Sequence, residues 1–147
     1  MTRHGERGAI GGVEVLPFGV LIFVAGALLI ANAWAVVDAK LTVESAAREA
    51  GRAYVEAPDR DTAEQAASRA AREAVAGVGR DPDRMALRDN DPDFARCSVV
   101  EHEAAYEVPA LTLPFVGSFG NGITVTGRHR EVIDPYRQGL GPEHRCG

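Results

Sequence analysis

From Val15 to Val37 the chain runs for 23 residues without a charge. This run constrains the fold more than any other feature, because a soluble domain rarely has a buried strip long enough to hide it. As a helix rising 1.5 Å per residue it would extend about 35 Å, slightly more than the roughly 30 Å of a bilayer's hydrocarbon core. The run therefore predicts a membrane-spanning helix. Asn32 is its only strongly polar residue, and Trp34 belongs at headgroup depth, where an amphipathic ring is stable. Pro17 suits a first helical turn, where a missing amide costs least. In a helix begun earlier it would add a kink, and both arrangements fit the sequence.

The flanking charges orient the span. Arg3, Arg7 and the amino terminus precede it, and Asp38 is the first charge after it. The positive-inside tendency puts the N-terminal side in the cytoplasm. The expected organisation is a cytoplasmic leader at 1–12, a transmembrane helix at 13–37 and an extracytoplasmic domain at 38–147. A cleavable secretory signal competes with this reading, since Ala31-Asn32-Ala33 offers an A-x-A pattern after a basic start. Signal h-regions run only about 7 to 15 residues, however, and the text from Trp34 to Glu56 continues in helix-compatible residues. Retention of the span is the favoured reading; cleavage after Ala33 would release a secreted domain.

The part beyond the span is acidic, with 19 Asp and Glu against 14 Arg and Lys from Asp38 onward. No surplus of cations marks a nucleic-acid-binding face. At 46% hydrophobic residues the chain is also too apolar for overall disorder. Cys97 and Cys146 stand alone without CxxC spacing, and an extracytoplasmic location favours a disulfide between them. It would close a loop of about 50 residues and add about 3 to 4 kcal/mol through loop entropy. Two unrelated thiols are the alternative.

An α+β fold is expected: the long N-terminal transmembrane helix continues into a small domain holding a second helix and a short antiparallel sheet. DAKLTVESAAREAGRAYVE continues the rod to Glu56, with Glu44 and Arg48 four apart. Ala35, Ala39, Thr42, Ala46, Ala50 and Ala53 form a small-residue stripe suited to close packing, within the domain or against another helix. Asp61 and Glu64 have capping-box spacing for a second helix over Thr62–Ala76, stopped by Gly77 and Gly79. The acidic RDPDRMALRDNDPDF reads as turn. Cys97–Val108 alternates, with Val100, His102, Ala104, Tyr106 and Val108 on one side and Glu101, Glu103 and Glu107 on the other, which predicts a half-buried strand paired with Ile123–Val132. The 14-residue connection Pro109–Gly122 is unusually apolar, and long connections of this kind are often functional. Within it Phe115 and Phe119 form a candidate contact loop, although core packing is the preferred role for both.

Little in the sequence suggests catalysis. His102 lies between two glutamates that a strand directs to the opposite face, and neither it nor His129 has a second ligand at metal-site spacing. Asp89, Asn90, Asp91, Pro92 and Asp93 begin like a calcium loop, but Phe94 replaces the required glycine and Val100 the closing glutamate. No G-x-S-x-G is present, and GSFGNG lacks a strand-loop-helix context. The expectation is a non-enzyme with no cofactor, metal or nucleic-acid partner. Glu14 stands out because it sits at the mouth of the apolar run, where a carboxylate is costly unless paired. It either snorkels to water or pairs with a cation of a neighbouring chain, which would fix register during assembly.

The text RGAIGGVEVLPFGVLIFVAGALLIANAW resembles the N-terminus of the TadE-like proteins, pilin-like subunits associated with tight-adherence (Flp) pilus loci. VDAKLTVESAAREAGRAYV, VPALTLP and ITVTGRHREVIDPYR also resemble members of this family from high-GC actinobacteria, so the likeness covers nearly the whole chain. The resemblance implies a pilin-like fold and a minor pilin or pseudopilin in the cytoplasmic membrane, reaching the cell surface in company with other pilin-like subunits and the pilus-assembly machinery. It also implies trimming by a prepilin peptidase, with Gly8, Ala9 and Ile10 as the candidate processing site. Cleavage after Ala9 makes Glu14 the fifth residue; cleavage after Gly8 makes it the sixth. The competing function is a membrane-anchored extracytoplasmic binding module unrelated to pili, with Phe115 and Phe119 in its contact loop.

Overall fold

The computed structural model describes residues 15–90, 93–109, 111–120 and 122–140. The apolar run and its charged continuation form one uninterrupted helix, α1 (Val15–Glu56). Among the described residues it is the one helix long and apolar enough to cross a membrane. Its two halves differ completely in surroundings. The apolar half has no buried residue, whereas Ala39, Thr42, Val43, Ala46, Ala47, Ala50, Gly51 and Tyr54 of the other half are buried. Most of the expected small-residue stripe is therefore used inside the domain.

The second helix, α2 (Arg60–Gly77), packs along this buried half. Ala63, Ala67, Ala71 and Val75 repeat every four residues and are all buried, so one narrow alanine ridge lets the two helices approach closely. The cap differs from the expected Asp61–Glu64 box. Asp59 is extended, and its carboxylate accepts from Thr62 N at 2.9 Å and Thr62 Oγ1 at 3.1 Å. Helix geometry thus begins two residues earlier, and Glu64 pairs with Arg60 at 3.1 Å on the surface. At the other end Gly79 adopts φ +77, which a Cβ would disfavour, and its amide reaches Ala76 O at 2.9 Å.

A 3-10 turn (Pro82–Arg84) leads into β1 (Met85–Asp89), a strand inside the stretch expected to be turn. It pairs antiparallel with β2 (Val99–Val108), which pairs with β5 (Ile123–Val132) in the order β1-β2-β5. β2 begins two residues later than expected, because Cys97 adopts φ +64, outside the extended region. Its alternation is as expected: Val100, His102, Ala104, Tyr106 and Val108 face the helices. The opposite face carries cross-strand ion pairs, Glu101 with Arg130 at 2.5 Å and Glu103 with Arg128.

α1 lies almost directly on β5. A Cβ added to Gly127 would stand 2.6 Å from Glu44 N and Val43 C, so only glycine permits this approach. Val43, Val75, Val100 and Ile133 are fully buried in the core, each adding about 1.5 to 3 kcal/mol of apolar burial. The polar tail also has a structural task. Arg137 donates to the carbonyls of Val55 and Glu56 in the last turn of α1 and of Ala57 just beyond it, where helical amide partners run out.

The long connection between β2 and β5 contains a separate hairpin, β3 (Leu111–Leu113) and β4 (Gly117–Phe119). Phe115 and Phe119 are exposed, not packed in the core as preferred from the sequence. The domain core is already filled by alanine, valine and Tyr54 from the helices and the sheet, and the hairpin forms its own small sheet beside α1.

Candidate functional site

The strongest functional feature is a surface with no protein covering it. Phe18, Leu21, Ile22, Phe23, Leu29 and Ile30 are all more than 60% exposed, and Trp34 is 69% exposed. Such a patch is stable in water only if something covers it, and its length suits a bilayer.

Where α1 leaves this apolar stretch it meets a set of polar ties. Arg80, just past the end of α2, donates to Ala35 O at 3.0 Å and to Asp38 Oδ2 at 2.6 Å, with its guanidinium 5.4 Å from the Tyr106 ring centroid. Lys40 donates to Thr126 O and pairs with Glu44 at 3.2 Å. These groups fix the angle at which the helix enters the domain. Sequence reasoning identified Asp38 as the first charge but missed Arg80, since only the α1–α2 packing brings residues 42 apart into contact.

A second tie lies deeper in the apolar run. Asn32 Nδ2 donates to Leu28 O at 2.8 Å and to Thr112 O at 3.4 Å, while Thr112 N donates to Asn32 Oδ1 at 2.8 Å. The side-chain amide therefore pairs with β3 much as a neighbouring strand would. The hairpin's tip carries Phe115 and Val116, with Phe115 fully exposed and at φ +66. No charged residue occurs between Val108 and Gly122.

The remaining candidates have structural surroundings. His102 is buried at ring-centroid distance 5.2 Å from Tyr54, and neither ring nitrogen has a partner among the described residues. Burial lowers its pKa, with His129 acting in the same direction and Asp89 against it. Burial likewise raises the Tyr54 hydroxyl. His129 contacts Glu131 at 3.0 Å, and among the described residues no group of three or more His, Cys, Asp or Glu gathers as a metal site would require. Asn90 bonds Val99 O at 3.2 Å and accepts from Glu101 N at 2.8 Å, extending the β1–β2 ladder. Asp91 and Pro92 of the acidic run lie outside the described residues.

So do Gly8, Ala9, Ile10, Glu14 and Cys146. Cys97 is not a free thiol, but its expected bond to Cys146 involves a residue outside that range. The site is thus an exposed apolar helix, a polar collar and an apolar hairpin. Compared with known protein families, curated proteins and solved structures, the chain has no match in any of the three.

Proposed function

We propose that this chain is a non-enzymatic, membrane-anchored pilin-like subunit of the TadE-like kind that its sequence resembles, taking part in assembly of a tight-adherence (Flp, type IV-like) pilus or a related secretion system. In this reading the leader lies in the cytoplasm and is trimmed near Gly8, Ala9 or Ile10, and the α+β domain lies outside. Glu14 pairs with a cation of a neighbouring chain and sets the register of the packed helices. A Cys97–Cys146 disulfide ties down the tail.

The observation that supports this most is the division of α1: a single helix is the spine of the domain in one half and has no buried residue in the other. A helix built this way can anchor in lipid and later exchange lipid for neighbouring helices while its domain stays folded. The bare half contains Gly19 and Gly26, where nothing stands within 4 Å, so another helix could approach closely.

The test is Glu14→Ala in the producing cell. The expected outcome is normal membrane insertion with loss of incorporation into the assembled structure. Normal incorporation removes the register role. A mature chain beginning at Trp34, read by mass analysis of the same preparation, overturns the anchored reading altogether.

A further inference from the structure

The register of α1 on the sheet shows which way each strand points. Lys40 contacts Thr126, Val43 and Glu44 lie against Gly127, and Gly51 lies against His129 and Glu131, so β5 runs parallel to α1, away from its apolar half. β2, antiparallel to β5, runs toward that half and ends at Val108, opposite Ile123. The chain then continues in the same sense, because Thr112 meets Asn32, eight residues before Lys40 and about 12 Å nearer the apolar end along the helix. The β3–β4 hairpin therefore hangs from the end of the domain that faces the uncovered helix.

Its composition fits that position. Leu113, Pro114, Phe115, Val116 and Phe119 surround a tip without charge, and Phe115, Val116 and Phe119 are exposed. Elsewhere on the domain the open sheet face carries the Glu101–Arg130 and Glu103–Arg128 pairs. Asn32 would be costly as an isolated amide in hydrocarbon, yet here it is bonded to the hairpin backbone and to Leu28 O. Thr112, in turn, gains a partner for its amide on the edge strand β3.

We propose that the β3–β4 hairpin is a second membrane contact, inserting Phe115 and Val116 into the headgroup–acyl boundary of the leaflet from which α1 emerges. This rests on the anchored reading above and refines it. The boundary then falls near Asn32 and Trp34 instead of Val37, leaving Val15–Ala31 as the core of the span. Those 17 residues cover about 25 Å, at the short end of what crosses a bilayer. Two attachment points, helix and hairpin, joined through Asn32, would hold the domain at one tilt and rotation on the membrane surface, where a single helix would let it swivel.

The experiment uses the full chain in vesicles of phosphatidylcholine and phosphatidylglycerol carrying brominated lipids. Its native indole, Trp34, reports on the anchor. In a second protein, Phe115→Trp combined with Trp34→Phe, the only indole reports on the hairpin. The expected result is quenching of both indoles by bromine near the headgroups and protection of both from aqueous acrylamide. Adding Asn32→Leu to the second protein should lose that lipid quenching, because the hairpin is no longer tied to the helix. If Trp34 is quenched by lipid while the indole at position 115 stays open to acrylamide, the hairpin proposal is overturned and the anchor stands; a protein partner then becomes the occupant to seek. If neither indole is quenched by lipid, the anchored reading fails and the hairpin proposal with it.

Discussion

The two halves of α1 have the same backbone and opposite surfaces. Between Val15 and Val37 the large apolar side chains are mostly exposed; between Ala39 and Tyr54 the inward-facing ones are mostly Ala and Gly, and they are buried. The greasier half is the one in which no residue is buried by the rest of the chain. A lipid phase requires only apolar surface, so bulk is useful and shape hardly matters, whereas a protein partner requires fit, and small residues allow a helix and a sheet to approach. In α1 the small side chains between Ala39 and Tyr54 mark where the rest of the domain packs.

The largest effect that could break this contrast belongs to Gly127. A side chain there would collide with the backbone of Val43 and Glu44, which cannot yield without moving the helix. Gly127→Val should cost about 3 kcal/mol or more in domain stability, as severe overpacking does. Denaturant unfolding of the full chain in detergent measures it. Stability near that of the wild type would mean that α1 does not rest on β5 as described, and the buried half would lose its distinction.

Much of this arrangement could be read from the sequence. The uncharged run, the rod ending at Glu56, the second helix and the Val100–Val108 alternation were legible, because each repeats with the period of its own secondary structure. What escaped depends on partners distant in sequence. Met85–Asp89 looks like turn because it is short and flanked by Asp and Pro, and only pairing with β2 makes it a strand. Phe115 and Phe119 look like core residues by type, and only the prior filling of the core by alanine and valine leaves them outside. The Asp59 cap was within reach, since Pro58-Asp59 already marks a helix start, but the Asp61–Glu64 spacing competed with it. Of the site, Asn32 stands out in the sequence as the one polar interruption of the run, while its partner Thr112, 80 residues on, carries no local signal.

A smaller effect sharpens the picture of the clothed half. His102 sits on the helix-facing side of β2 beside Tyr54, opposite Asp89 on β1 and His129 on β5. Burial lowers its pKa, so the folded state holds the neutral ring while the unfolded chain takes up a proton near pH 6.5. Stability linked to this group is complete above that value and is lost as pH falls from there through the depressed folded value, with a slope of at most about 1.4 kcal/mol per pH unit. His102→Phe should flatten the decline of melting temperature below pH 6.5 relative to wild type. Identical pH profiles for the two proteins would show that position 102 is hydrated, and that the buried face of the sheet is more open than its packing indicates.

The smallest expected effect is the most direct test of the bare half. Nothing stands within 4 Å of a Cβ placed at Gly26, so Gly26→Leu has no collision to cause inside the chain and leaves the domain core untouched. Domain stability in detergent should stay within about 0.5 kcal/mol of wild type, the range of substitutions remote from structural contacts. A larger loss would mean that this part of α1 folds back onto protein, and the two halves would no longer differ in kind. If stability holds but incorporation into an assembly falls, the substitution has obstructed a neighbouring chain's helix. The surface left uncovered in the monomer would then be the one that other subunits use, with glycine serving on the bare half the close approach that Gly127 serves on the clothed one.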